Sequence, residues 1–189
     1  MEPLGFTLDL PKLRDRMLDF AVLLLSQPLA EEHFVEDLNV EILYQVQLVV
    51  AASQQSHWAR RRKIDLAELA TETWIFPPSN SWNYAQMAEA FRARGLEMPK
   101  MRLETISSLV RATMLTTGPY IATFPSLFMR LYADRFSLKV LPVELPAQPW
   151  PVVIVTLKNR TLSPVVERFI EQVRDFTLPM RAGEPTPRG

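Results

Sequence analysis

Hydroxyl and amide side chains cluster where three short apolar runs meet helix starts. Ser79, Asn80 and Ser81 follow Trp74-Ile75-Phe76-Pro77-Pro78, Thr105 and Ser107 follow Met101-Arg102-Leu103-Glu104, and Phe124, Pro125 and Ser126 close Tyr120-Ile121-Ala122-Thr123. The chemistry open to them is recognition: these polar groups, joined by the unpaired N–H groups of a first helical turn, can hold a carboxylate or hydroxyl of a small molecule. In an open parallel α/β sheet such joints share one edge, beside a ligand-binding crevice. The same residues have a local use as well. Ser81 or Asn83 can cap the helix that follows, Thr105 and Ser107 have the same ambiguity, and capping does not preclude ligand contact. Phe124 and Pro125 suit packing, or the rim of the crevice. Leu24, Leu25 and Ser26 end an apolar strand near the start of the chain and would face the crevice from the other side, with no charge to grip a ligand.

Residues for other chemistries are sparse. His33 and His57 are the only histidines, both in loop-like sequence without metal-pair spacing, and there is no cysteine for a thiolate site or a disulfide. No strained Gly-x-Ser-x-Gly elbow supports a nucleophilic serine. These absences lead us to expect no catalysis, no metal and no cofactor. Arg60-Arg61-Arg62-Lys63 reads as a solvated loop, because four charges without interleaved aromatics or a reading helix carry little nucleic-acid specificity. The 21 Lys+Arg are balanced by 21 Asp+Glu, so no basic excess favours phosphate binding.

What must position the joints is an alternation of strands and helices. Residues 11–16 read as a helix end and 20–25 as a central strand buried on both faces, whose partners must come from the C-terminal part of the chain or from residues outside it. Residues 39–52 read as one long extended segment, with Val40, Ile42, Tyr44, Val46, Leu48 and Val50 alternating against polar partners as far as Gln47, suited to a crossing between lobes. Asp65-Leu66-Ala67-Glu68 is a capping box. Asn83-Tyr84-Ala85-Gln86 repeats it at the head of a helix with Tyr84, Met87, Ala88 and Phe91 on one stripe, stopped by Gly95. A helix after Thr105 packs through Ile106, Leu109, Val110 and Met114 and ends at Gly118-Pro119. Leu127, Phe128, Leu131 and Tyr132 form the inner face of the next helix. Residues 138–142 read as an edge strand, 144–151 as a proline-rich linker and 152–156 as a buried strand. Ser163-Pro164 opens the last helix, with Val166, Phe169, Ile170 and Val173 inward, and the tail from Met180 is expected to be disordered.

The class is therefore α/β in two lobes. Residues 1–44 form part of the first lobe, 45–142 a complete second lobe, and 143–178 a return to the first, before a tail at 179–189. Two crossings make a hinge, and lobes so joined hold their ligand in the cleft between them. With 48 % apolar and 22 % charged residues the composition is that of a soluble globular protein. The longest apolar run, 20–25, is far shorter than the ~20 residues of a membrane span, and the N-terminus lacks signal-peptide character. We expect a cytoplasmic protein with no membrane contact.

Several stretches together resemble the effector-binding domain of LysR-type transcriptional regulators. They are Ser56-His57-Trp58-Ala59 through Ile64-Asp65-Leu66-Ala67-Glu68-Leu69-Ala70 to Glu72-Thr73-Trp74-Ile75-Phe76-Pro77-Pro78, then Leu18-Asp19-Phe20-Ala21-Val22, Ala90-Phe91-Arg92-Ala93-Arg94-Gly95-Leu96, Glu104-Thr105 and Leu162-Ser163-Pro164. The resemblance runs from about residue 13 to 176. It implies a periplasmic-binding-protein-like (type II) fold of two subdomains, the first incomplete here, with an effector in the cleft near Ser79, Asn80 and Ser81 that controls transcription. It also implies dimers or tetramers, and DNA contact through a helix-turn-helix that has no counterpart in this chain, so the chain reads as N-terminally truncated and is not expected to bind an operator. Two departures stand out: Thr117-Gly118-Pro119-Tyr120 replaces a Gly-rich turn, and Trp58 follows His57 where proline is usual. The alternative is a periplasmic-type solute-binding protein of the same fold. With strand 20–25 short of partners, poor solubility is expected.

Overall fold

The computed structural model describes residues 10–25, 36–146 and 149–181. In chain order the elements are α1 (Leu10–Arg14), β1 (Ala21–Leu24), β2 (Leu38–Val46), β3 (Leu48–Ser53), β4 (Thr73–Phe76), α2 (Trp82–Arg92), β5 (Met101–Glu104) and α3 (Ser108–Thr117). There follow β6 (Tyr120–Pro125), α4 (Ser126–Tyr132), β7 (Leu138–Val140), β8 (Trp150–Leu157) and α5 (Pro164–Arg181). They divide into two compact units, one on Gln47–Pro149 and the other on the residues up to Val46 and from Trp150 onward.

In the discontinuous unit, β8 lies between β1 and β2, antiparallel to both. Val153 and Val155 pack on one face with Leu13, Leu23 and Leu38, while Ile154 and Ile170 pack on the other with Leu43 and Val46. The central strand of this sheet is thus β8, as its unbroken apolar run Val152-Val153-Ile154-Val155 requires. The expectation for 20–25 needs correcting: β1 is an edge among the described residues, paired to β8 alone, and Val22 is 45 % exposed. Trp150 and Pro151 are not linker but the first residues of β8, opposite Val46 and Gln45.

The expected single segment over 39–52 is two strands. β2 joins β8 and β3 joins β6 and β7, so the break at Gln47 is where one sheet ends and another begins. Val46, Leu48 and Val50 keep their phase through the break, which favours reading one strand; the polar partners end at Gln47, and 48–52 is apolar throughout because β3 has neighbours on both sides.

The second sheet has the order β5-β4-β6-β3-β7, with β7 at the edge as expected. β5, β4 and β6 are parallel, and β3 is antiparallel to β6 and β7. Trp74, stacked on Phe76 at 5.1 Å and edge-on to Phe91 at 5.9 Å, anchors the face that α2 covers through Met87, Ala90 and Phe91. The opposite face carries Ile75, Ala122 and Phe124 under Ala112 and Leu115 of α3 and Met129 of α4.

Local signals behave as capping rules dictate. Asp65 and Glu68 form the capping box of a short 3-10 turn, Ser163 caps α5, and the left-handed Gly95 (φ 67°) follows α2, where the Leu96 N–H reaches the Phe91 carbonyl. At the head of α2, however, the cap is Ser81, and Asn83 lies inside the helix. Three inward faces also differ from expectation. α3 turns Arg111, Ala112 and Leu115 inward and leaves Ile106, Leu109 and Val110 exposed. In α4 the buried residue is Met129 and Leu131 is exposed; in α5 Phe169 is half exposed, its ring 5.4 Å from that of Phe20. α5 itself runs through Pro179 to Arg181 with Met180 buried, so the expected disorder does not begin at Met180.

Candidate functional site

The three joints lie on one edge of the five-stranded sheet, because β5, β4 and β6 point the same way. Phe76 registers with Glu104, and Ile75 with Ala122. From β4 the chain passes to α2 on one face; from β5 and β6 it passes to α3 and α4 on the other. The strand that follows β4 lies to one side of it and the next lies to the other. That reversal is a topological switch point, where the carboxyl ends of adjacent strands border a crevice.

At the β4–α2 joint, Ser79 is exposed, Asn80 half-buried and Ser81 buried. The Ser81 N–H donates to the Pro78 carbonyl at 2.8 Å, and its Oγ accepts the Tyr84 N–H at 3.3 Å. At the β5–α3 joint, the Thr105 N–H donates to the Phe76 carbonyl at 3.0 Å and so ties the two joints together. Thr105 Oγ1 accepts from the Ser107 N–H at 3.2 Å, and Ser107 Oγ from the Val110 N–H at 3.3 Å. Each of these hydroxyls is used as an acceptor and keeps a proton that it can donate outward. At the β6–α4 joint, Ser126 and Gln47 exchange two bonds: the Ser126 N–H donates to the Gln47 carbonyl at 2.7 Å, and the Gln47 N–H to Ser126 Oγ at 3.2 Å.

The predicted residues Ser79, Asn80, Ser81, Thr105, Ser107, Phe124 and Pro125 therefore share one edge of one unit. Phe124 is a core residue there, fully buried and stacked on Phe128 at 5.1 Å, while Pro125 is half-buried at the head of α4. Leu25 belongs to the other unit, where its N–H donates to the Pro151 carbonyl at 2.9 Å. Ser26 and His33 lie outside the described residues.

Two polar residues at this edge escape a reading by sequence. Thr123 is fully buried opposite Val50, and its hydroxyl has no partner. Arg111, on the first turn of α3, is 1 % exposed, and burial pushes its guanidinium down to about 10. The only signal for it was an arginine four residues after the N-cap Ser107, on the flank of an apolar stripe, where solvent exposure is the usual outcome.

His57 is exposed with its ring 4.5 Å from that of Trp58, and Arg60, Arg61, Arg62 and Lys63 are all exposed, as a solvated loop requires. Arg61 pairs with Glu68 at 3.0 Å and covers the Trp58 ring at 5.8 Å. The Asp65 N–H, and then Arg61, hold the Glu68 carboxyl below its usual range. Among the described residues, no group of three or more His, Asp or Glu could hold a metal ion, and no helix is long and apolar enough to cross a membrane.

The architecture is that of the periplasmic-binding-protein-like type II fold, shared with solved effector-binding domains. The chain belongs to the LysR substrate binding domain family, whose model matches residues 7–177. It is 26 % identical over 176 residues to the HTH-type transcriptional regulator TdcA of Escherichia coli (strain K12), covering 89 % of this chain and 51 % of TdcA. Among solved structures it is similar to the effector binding domain of QuiR in complex with shikimate, with a TM-score of 0.66 and 20 % identity over 92 % of this chain and 78 % of that one. It is also similar to the CcmR regulatory domain of Synechocystis PCC6803 in complex with 2-PG, with a TM-score of 0.70 and 19 % identity over 93 % of this chain and 81 % of that one. The chain spans a third to a half of the length of the curated relatives it matches. The domain is a regulatory one, not an enzyme.

Proposed function

We propose that this domain senses a small molecule on the joint edge of the Gln47–Pro149 unit, and that the bound molecule adjusts the activity of a LysR-type transcriptional regulator. One observation carries the reading: parallel β5, β4 and β6 end together at a switch point, with the N-cap serines of α2 and α3 beside it. Ser79, Asn80 and Ser81 offer donors at one joint, Thr105 and Ser107 at the next, and the Thr105–Phe76 bond makes the two respond as one. A route for the signal starts at the third joint, where Ser126 and Gln47 exchange bonds. Gln47 is the residue at which the chain crosses from one sheet to the other, so tension at the edge is delivered to the crossing itself. The relatives are transcriptional regulators, which favours this reading over a solute carrier. DNA contact belongs to a helix-turn-helix outside these residues.

Self-association fits the exposed side of α3. Ile106, Leu109 and Val110 are 64, 56 and 43 % exposed, next to the sheet edge at β5 with Met101 exposed on it. We assign this apolar stripe to a homodimer contact.

A thermal-shift screen of shikimate, benzoate, sugars and amino acids tests the sensing role. A ligand present at a hundred times its dissociation constant raises stability by about 2.7 kcal/mol. No shift with any such compound, in protein shown to be folded, would remove the reading.

A further inference from the structure

Among the described residues, Arg111 is a cation buried without an anion. Its Nη1 donates to the carbonyls of Thr105 at 2.8 Å and Ile106 at 3.3 Å, and its Nη2 to Ser108 Oγ at 3.1 Å. The guanidinium carbon sits 5.4 Å from the centre of the Phe124 ring, and Nε has no partner. No carboxylate among the described residues pairs with it, and burial alone accounts for its lowered basicity. Carbonyls and a ring face satisfy part of the donor set but leave the net charge uncompensated.

The bonds that Arg111 does make shape the joint above it. In a trans peptide the N–H points opposite the C=O. With the Thr105 and Ile106 carbonyls drawn toward the guanidinium, the N–H groups of Ile106 and Ser107 face away from it; that of Ser107 is taken up by Thr105 Oγ1 at 3.2 Å, which leaves the Ile106 N–H for a ligand. In the first turn of α3 the Val110 N–H is capped by Ser107 Oγ and the Arg111 N–H reaches the Ser107 carbonyl, while the N–H groups of Ser108 and Leu109 lack intrahelical partners by construction; the Ser107 hydroxyl keeps a proton to donate. Positive ends of dipoles thus gather on the outside of the joint, and a fixed positive charge lies beneath, with the carbonyls that would repel an anion turned inward.

We propose that the β5–α3 joint is the seat for an anionic group, a carboxylate or phosphate, of the small molecule this unit receives, with Arg111 as the buried charge that selects it. This rests on the sensing role and adds the chemical class of ligand and the joint that takes its charge. Arg111 is a positioning residue, acting through the joint and not by direct contact.

The test is a titration of the 15N-labelled chain with inorganic phosphate, with acetate and with acetamide as the neutral control, at constant ionic strength. We expect saturable amide shifts at 105–110 with phosphate or acetate and none with acetamide; whichever oxyanion saturates at the lower concentration names the group. Arg111→Met weakens that binding about tenfold or more, the loss expected for one charge close by in a low-dielectric site, while Arg111→Lys retains most of it. Absence of oxyanion shifts at 105–110 in the wild-type protein overturns the proposal, whether or not the methionine variant folds. Equal affinity in a folded Arg111→Met protein overturns it too, leaving Arg111 a clamp only. A neutral compound that stabilises the protein and shifts 79–84, with no oxyanion effect at 105–110, would sink this inference while the sensing role stands.

Discussion

Around Trp74 the five-stranded sheet is lined with rings, Phe76 stacked on it and Phe91 edge-on, and its indole N–H is held by the Leu69 carbonyl at 2.9 Å. Around Val153 the three-stranded sheet is lined with aliphatic side chains, and aromatic Phe20 and Phe169 sit at the margin, the latter half exposed. The first unit has parallel strands whose ends converge on polar helix starts. The second, among the described residues, is wholly antiparallel and has no such edge. The difference locates the labour: the Gln47–Pro149 unit holds an aromatic floor under a polar rim, and the other is an antiparallel sheet without such a rim.

Removing the floor should cost most. Trp74→Ala is expected to lower stability by about 3–5 kcal/mol, against about 2 kcal/mol for Val153→Ala, read from urea denaturation of each variant. Equal losses would mean that the aromatic floor is no stiffer than the aliphatic sheet. Next comes the rim. Ser81→Ala removes the acceptor for the Tyr84 N–H, and should cost about 1 kcal/mol by the same measurement; a silent substitution would show that the cap matters only to a ligand. The smallest effect on stability belongs to the exposed stripe of α3. Leu109→Lys should change it by less than about 0.5 kcal/mol, yet reduce self-association in sedimentation velocity, because a charge on an exposed apolar stripe opposes its pairing with a second copy. Unchanged sedimentation would take the association away from that stripe.

Much of this was legible in the residues because local chemistry dictated it. Asp65 with Glu68, Ser163 with Pro164, and Gly95 announce their turns by capping and backbone preference alone, and the three joints follow from apolar runs that stop at Pro, Ser and Thr. What stayed hidden depends on partners distant in sequence. The phase of Val46, Leu48 and Val50 carries across Gln47, and only the loss of polar partners after it marks the passage to a second sheet. Residues 20–25 read as a central strand because all are apolar, yet it is β8 that gains neighbours on both sides. The phase of α3 differs from the one its apolar stripe suggests, because such a stripe normally faces inward. Here the helix buries Arg111 instead, and the cost of that choice is itself the clue to what the joint binds.

The central claim, that small molecules settle on the joint edge of the Gln47–Pro149 unit, is tested most directly by mapping amide shifts over the whole chain during titration with shikimate, benzoate and phosphate. The account predicts saturable shifts concentrated at 79–84 and 105–110, with residues 100–101 and 118–120 at the opposite ends of the parallel strands unmoved. Shifts at those opposite ends, or none at the joints with any of the three at saturating concentration, would contradict it.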